Sequence, residues 1–406
     1  MPFFTRDQQD ALEALHHANP AHRDLLEFLS GPLSSFAAEK VAPRAARNDA
    51  EESFAADNLR ALGELGFMSL PFPEKYDGMN ACFSYLAAGM ETLAKADAGF
   101  TLAIAIHGTA TDGIYRFASD RLKDKYVEKL SHGRLMGCFG LTETTSGSDA
   151  KTMKCCWTRD AATGDYLLNG GKYWITNGMT ADVFFIMAKG PDGKVSAFAV
   201  EKGWKGTFEQ HKIEGKMGVR GSNTAELVFA DYRVPKDQLI GEEGKGFNYA
   251  MHMLNGGRVT IGAWSTGIAQ GAYEKFVKYA HERELFGKRL IDLDNTRREM
   301  SEMQIGINAG RLMTYQAAWW KTKGADIAAK AAMAKVMATE SSVHVAERAI
   351  ELAGGFGYVA DSRIERHLRD ALLGRIGEGA NEVLKIMVIP RALEREFGER
   401  PLTNLW

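Results

Sequence analysis

Two changes of texture divide this chain into three stretches, and no one-layer or purely helical fold accommodates all three. From Gln8 to Arg134 apolar residues recur at helical spacing, as in Asp57 to Leu65, Ser84 to Lys95 and Asp120 to Leu130. Gly133 is placed to stop the last of these. From about Gly137 to Pro235 the pattern shortens into β-rich runs broken by turn signals. Tyr166 to Ile175 reads as two runs joined at Asn169-Gly170, and Val183 to Ala188 and Val195 to Val200 flank Gly190-Pro191-Asp192-Gly193, so hairpins are expected. Helical spacing returns over Phe247 to Arg283, Thr296 to Lys323, Ile327 to Leu352 and Glu382 to Arg395, as in a helix bundle. The expected class is α+β and multi-domain. It comprises an N-terminal α-helical domain (1–136), a middle antiparallel β-barrel-like domain (137–243) and a C-terminal four-helix bundle (244–406).

Several function classes fall away at this point. With 50 basic against 52 acidic residues and a net charge of -2, the chain has no electrostatic footprint for nucleic acid or an anionic membrane. Its cysteines, Cys82, Cys138, Cys155 and Cys156, form no CxxC pair, so neither a disulfide framework nor a zinc or other metal site is expected. No apolar run approaches the ~18 residues of a membrane span, and Met1 to His17 lacks a cleavable apolar core, which reads as a cytoplasmic protein. Gly355-Phe356-Gly357-Tyr358-Val359-Ala360 matches a dinucleotide fingerprint, with Glu378 following. That fingerprint needs a preceding strand, whereas Val345, Ala349 and Leu352 are spaced as a helix, so a Rossmann site is not expected.

Three segments carry chemistry. Phe139 to Asp149 includes Leu141-Thr142-Glu143-Thr144 and Ser146-Gly147-Ser148, a small-residue loop whose hydroxyls and amides can approach a ring edge or a phosphate. On its own it is more often a loop connecting helix to strand, by about two to one. Lys172-Tyr173-Trp174-Ile175-Thr176-Asn177-Gly178 puts an indole and a threonine on one side of a strand, where they can cover a flat ring and reach its polar edge. A strand tryptophan alone is more often core. Gly354-Gly355-Phe356-Gly357-Tyr358 leads through Glu365-Arg366-His367-Leu368-Arg369-Asp370 to Ile376-Gly377-Glu378-Gly379-Ala380. A carboxylate between glycines is poor for a helix, at roughly 1 kcal/mol per glycine, and suits backbone that must approach a ligand. The alternative is an acid complementing a helix N-terminus.

In this order, and with Lys216 to Ser222, Phe229 to Pro235 and Arg283-Glu284-Leu285-Phe286-Gly287-Lys288, the segments resemble the acyl-CoA dehydrogenase family along nearly the whole chain. The resemblance implies FAD held by Phe139, Leu141, Thr142, Ser148, Trp174, Thr176, Glu351, Gly355 and Ala380, with Arg283 and Phe286 reaching the FAD of a neighbouring subunit. It implies an acyl-CoA bound by Ser148, Asn255, Arg258 and Gly379, and Glu378 as the base that takes the α-proton while the β-hydrogen leaves as hydride to flavin N5. The product would be the trans-2-enoyl-CoA, the acceptor an electron-transfer flavoprotein, and the assembly a homotetramer built as a dimer of dimers. An acyl-CoA oxidase or a nucleic-acid-associated flavoprotein of the same fold are the alternatives, and the near-neutral charge argues against the second. A desolvated Glu378 is expected to have a raised pKa.

The chain also departs from the family. Gly377 stands where Tyr is common, Ala380 where Thr is, Thr144 where the loop has Pro, and Asp294 and Glu351 where glutamines approach the FAD phosphates. Gly257 lies where some relatives carry their base, which leaves Glu378 without a rival. Thr101 lies where glutaryl-specific relatives hold an Arg, which argues against a dicarboxylate substrate.

Overall fold

The structure, a computed structural model, describes residues 1–391 and 394. It forms two compact units. One holds Met1–Ala37, Cys82–Ala98 and the chain from Arg258 onward; the other holds Ala38–Ala81 and Gly99–Gly257.

The second unit is organised by a mixed sheet. Its strands are β1 (Gly137–Gly140), β2 (Cys156–Arg159), β3 (Tyr166–Thr176), β4 (Val183–Lys189), β5 (Val195–Val200), β6 (Thr207–Lys212), β7 (Thr224–Val234) and β8 (Leu239–Ile240). They lie in the order β6-β7-β3-β2-β4-β5-β8, with β1 on β4. Most pairings are antiparallel as expected, but β1 and β2 run parallel to β4. Strand alternation explains why β4 is buried on both faces. Phe184, Ile186 and Ala188 pack with Trp157, Tyr166 and Phe198, while Val183, Phe185 and Met187 pack with Ile106, Ala110, Ile114 and Met253.

The hairpin expected between Val183 and Val200 is present, with Lys189 opposite Val195 and Gly193 at φ 76 in the turn. The one expected at Asn169-Gly170 is not: Tyr166 to Thr176 is a single strand. The register on β7 shifts between Leu168 and Gly170, where Gly170 has φ 117, so the pair forms a bulge. A Cβ on Gly170 would sit 2.8 Å from the Cys155 Cα, so the site admits close backbone approach. Asn169 holds the bulge from outside, donating to Asp231 Oδ1 at 3.0 Å and accepting from the Asp231 N–H at 2.9 Å.

Within the stretch expected to be helical, a 20-residue helix, Ala98–Phe117, is buried almost all round and offers no polar face. Within it, fully buried His107 is neutral, its pKa lowered by burial to about 4. Its Nδ1 accepts from the Gly137 N–H at 3.0 Å and its Nε2 donates to the Leu130 carbonyl at 2.9 Å, which sets where β1 begins.

In the first unit, helices Phe83–Ala96, Asp294–Thr322, Ala328–Ala353 and Glu365–Ile376 pack with the Arg258-onward part of the Gly246–Glu282 helix. The core joins Phe276, Leu290, Met303, Ile307, Val345, Ala349 and Ile364. A buried ion pair, Arg311 to Glu91 at 2.7 Å, is completed by the Tyr315 hydroxyl donating to Glu91 at 2.8 Å. It links the Phe83–Ala96 helix to Asp294–Thr322.

The expected helix Glu382 to Arg395 begins as Asn381–Val383 and loosens into a π-turn at Leu384–Val388; its end lies outside the described residues. The Gly355–Ala360 motif follows helix Ala328–Ala353 through a 3-10 turn, with no strand before it. No described helix is long and apolar enough to cross a membrane.

Candidate active site

In the sheet unit, the loop after β1 is tied to β3 by a buried cation. Lys172, 1% exposed, places its ammonium 2.7 Å from Glu143 Oε1 and donates to the Leu141 carbonyl at 3.1 Å. The Glu143 carboxylate also accepts the backbone N–H groups of Lys154 at 2.6 Å and Cys155 at 3.0 Å. Two backbone bonds between Glu143 and Ser146, 2.8 and 3.2 Å, close the turn. The Tyr173 N–H donates to the Thr142 carbonyl at 2.8 Å, which brings Thr142 beside the strand that carries Trp174.

At that point the strand is bent on purpose. A second register shift on β7 falls between Lys172 and Ile175, and Trp174 there has φ 61. A bulky residue in the left-handed region costs about 1–3 kcal/mol, and such strain persists where the surrounding structure imposes it. The shift turns the indole outward, 57% exposed. Asn177, with φ 68, anchors the strand end by donating to the carbonyls of Ala103 at 2.8 Å and Gly137 at 3.1 Å.

The Thr142 and Thr176 hydroxyls and the Trp174 indole N–H find no hydrogen-bond partner among the described residues, although both threonines are half-buried. Phe139 and Leu141 are buried in the core, so only their backbone can face a ligand; Ser148 is exposed and Asn255 half-buried.

In the other unit, Glu378 sits in the turn between Glu365–Ile376 and Asn381. Gly377 caps the first helix and Ala380 is the N-cap of the next, so Glu378 lies outside both, contrary to the helix-terminus alternative. It has φ 54 and Gly379 has φ 92. Two cations hold this backbone: Arg258 Nε donates to the Glu378 carbonyl at 3.4 Å and Lys335 Nζ to the Gly379 carbonyl at 2.9 Å. Lys335 also donates to Asn381 Oδ1 at 2.8 Å.

The Glu378 side chain behaves differently from its backbone. Its Oε2 is buried with no hydrogen-bond partner. Burial raises its pKa to about 7, against the opposing pull of Arg258 and Lys335. Burial likewise lowers Lys335 to about 7 and holds Arg258 below its ordinary range. An unengaged carboxylate oxygen that exchanges its proton near neutrality is suited to general acid–base work.

Arg258 and Gly379 are thus brought together with Glu378, and so is Lys335, which the sequence reading did not single out. The available signal was a lysine set among Ala331, Ala332 and Ala334, all buried.

The remaining candidates lie elsewhere in that unit. Phe286, 88% exposed, and Gly287 form the tip of the hairpin pairing Glu284–Leu285 with Lys288–Arg289. Their φ values, 52 and 72, are those of a type I′ turn. Arg283 and Gly355 are exposed. Glu351 is paired with Arg348, which also reaches Glu299 at 2.9 Å, so its charge is locally offset. Asp294 opens the first turn of its helix, where an acid complements the dipole.

Family models match in three consecutive blocks: "Acyl-CoA dehydrogenase, N-terminal domain" over residues 27–134, "middle domain" over 138–232 and "C-terminal domain" over 244–393. The chain is 38% identical over 370 residues to the short-chain-specific acyl-CoA dehydrogenase of Clostridium acetobutylicum, covering 89% of this chain and 96% of that one. It superposes on butyryl-CoA dehydrogenase from Megasphaera elsdenii with TM-score 0.87 and 34% identity, over 96% of this chain and 98% of that one. A chain in a solved structure described as electron transferring flavoprotein of Acidaminococcus fermentans gives TM-score 0.87 and 36% identity, over 96% and 98%.

Proposed function

The chain belongs to the acyl-CoA dehydrogenase family, and on that premise we propose that it oxidises a short-chain acyl-CoA to its trans-2-enoyl-CoA with Glu378 as the base. The observation that carries the role of Glu378 is its buried, unpartnered Oε2 on a left-handed turn held by Arg258 and Lys335. The α-proton of a thioester is weakly acidic, so its removal needs a positioned carboxylate that is ionised near neutral pH. Glu378 meets both conditions. Arg258 and Lys335 favour its ionised form, while burial keeps the carboxylate basic enough to hold the proton it takes.

FAD is the family's cofactor and supplies the hydride acceptor when bound. The residues fit it: Thr142, Thr176 and Trp174 offer donors without internal partners, matching the acceptor-rich edge of a flavin, and the exposed indole offers a face to cover a ring. Ser148 would join them, with Phe139 and Leu141 contributing backbone. Glu351, Gly355 and Ala380 would add to the cofactor site, and Arg283 and Phe286 would reach the FAD of a second copy. The exposure of Phe286 supports contact with such a copy, in a homotetramer arranged as a dimer of dimers.

The names of the matched relatives support a short acyl chain, and buried Thr101 supports a substrate without a second carboxylate. The same reading bounds the domains at 1–136, 137–243 and 244–406 and makes an electron-transfer flavoprotein the acceptor. Anaerobic titration of the FAD-loaded protein with straight, branched and cyclic acyl-CoAs should bleach the flavin, most readily with the four-carbon straight chain. Bleaching by none of them would defeat the proposal. Comparing reduction of electron-transfer flavoprotein with oxygen consumption separates a dehydrogenase from an oxidase.

A further inference from the structure

We infer that Lys335 is a positioning residue for the base: its side chain clamps the Glu378–Gly379 turn from within the bundle and adds to the positive charge that Arg258 places beside the carboxylate. This rests on the reading of Glu378 as the base. A glutamate at φ 54 followed by a glycine at φ 92 is a conformation a free chain avoids, so something outside the turn must select it.

Lys335 is placed to do so. It projects from Ala328–Ala353, its residue is 0% exposed, and it donates to the Gly379 carbonyl at 2.9 Å and to Asn381 Oδ1 at 2.8 Å. One cation therefore bridges the turn and the first residue of the following helix. Asn381 is oriented for that contact by donating to Thr339 Oγ1 at 2.9 Å and Glu340 Oε1 at 2.8 Å, both from the lysine's own helix. The result is a closed hydrogen-bonded loop, Lys335 to Asn381 to Thr339, whose Oγ1 in turn donates to the Lys335 carbonyl at 2.8 Å.

Burying an ammonium is costly unless it is used, and a structural lysine is ordinarily paired with a carboxylate. Lys335 instead donates to a carbonyl and an amide oxygen, both neutral. The carboxylate whose charge it feels most strongly is Glu378, which is not hydrogen-bonded to it; Glu340 contributes less. That arrangement leaves the Glu378 side chain unengaged for a substrate proton while its backbone is fixed. A direct Lys–Glu ion pair would have tied up the base.

The charges acting on Glu378 come from several elements. Arg258 acts from the Gly246–Glu282 helix and Lys335 from Ala328–Ala353. Glu340, on the same helix as Lys335, is engaged by Arg375 at 2.7 Å and Lys385 at 3.4 Å, so it is locally compensated. Removing the Lys335 charge should therefore make Glu378 harder to ionise, which moves the acid limb of its pH dependence upward.

The test compares FAD-loaded wild type, Lys335→Met and Lys335→Arg by stopped-flow anaerobic flavin reduction with butyryl-CoA between pH 5.5 and 9. Flavin content and substrate Kd are measured alongside. Lys335→Met should keep its flavin and bind substrate near normally, reduce flavin at least ~10-fold more slowly at pH 7, and show an acid limb raised by about one pH unit. Lys335→Arg should retain the wild-type limb. A wild-type rate and limb in Lys335→Met would overturn the inference, as would equal slowing in both variants with no movement of the limb. If Lys335→Met yields no folded holoprotein, Asn381→Ala keeps the cation and removes its anchor; it should be slowed ~10-fold with the limb unmoved, and a normal rate would overturn the clamp. Glu378→Gln run in parallel separates the two ideas. If that variant reduces flavin normally the base assignment itself fails, whereas an inactive Glu378→Gln beside a normal Lys335→Met removes Lys335 alone.

Discussion

Glu378→Gln should leave a folded, yellow, FAD-loaded protein whose anaerobic reduction by butyryl-CoA is slowed by about 10²–10⁴, the usual worth of a positioned general base. That loss corresponds to about 3–5.5 kcal/mol of barrier. The amide has the shape of the acid, and the turn is held through the carbonyls of Glu378 and Gly379, which the substitution retains. Because Oε2 has no hydrogen-bond partner, little structure should be lost with it. Unchanged substrate Kd and flavin content beside a collapsed rate would mark the change as chemical.

The second large effect is on stability. Lys172→Met should lower the unfolding free energy by about 3–5 kcal/mol, since it strands the Glu143 carboxylate in a site where the two side chains are 0% and 6% exposed. The Leu141 carbonyl loses its donor at the same time. As Lys172 ties the Leu141–Glu143 loop to the strand bearing Trp174, the variant should also release FAD more readily. Urea denaturation of the apoprotein and flavin retention on dilution measure the two consequences separately. Adding Glu143→Gln should recover part of the loss, because the double variant no longer buries an unpaired charge. A change below about 1 kcal/mol in Lys172→Met would show that the pair is not a structural tie.

The order of helical, sheet and helical segments was legible because amphipathic helices and alternating strands write their period into the chain. Helix Asp120–Ser131 shows this directly, with Leu122, Tyr126, Val127 and Leu130 buried at helical spacing. Ala98–Phe117 falls in the stretch read as helical, but its own bounds were not legible, since a helix buried on nearly every side carries little period to read. Asn169-Gly170 misled for another reason: a glycine at φ 117 serves a bulge as well as a turn, and only the neighbouring Cys155 backbone decides between them.

For the site, residue types were readable and their conformations were not. Trp174 and Glu378 stood out in the sequence, yet nothing local to them announces the left-handed backbone that displays one and aims the other. Lys335 was hidden because its partners, Gly379 and Asn381, are remote in sequence and meet it only through helix packing. Glu351 puts a negative charge where the family has a glutamine; its pairing with Arg348, one helical turn away, explains how the chain accommodates it.

The central claim is that Glu378 takes a proton from substrate and does so because its environment holds it near the ionisation threshold at physiological pH. With its pKa raised from 4.5 to about 7 by burial, the ionised fraction should increase as pH rises through that region. The most direct measurement is the single-turnover rate of flavin reduction in the wild-type holoenzyme from pH 5 to 9 with saturating butyryl-CoA. The rate should climb roughly tenfold per unit on the acid side, bend near pH 7 and level off above it, and Glu378→Gln should lack that limb. A wild-type rate that is flat across this range, or a limb that survives in Glu378→Gln, would contradict the account.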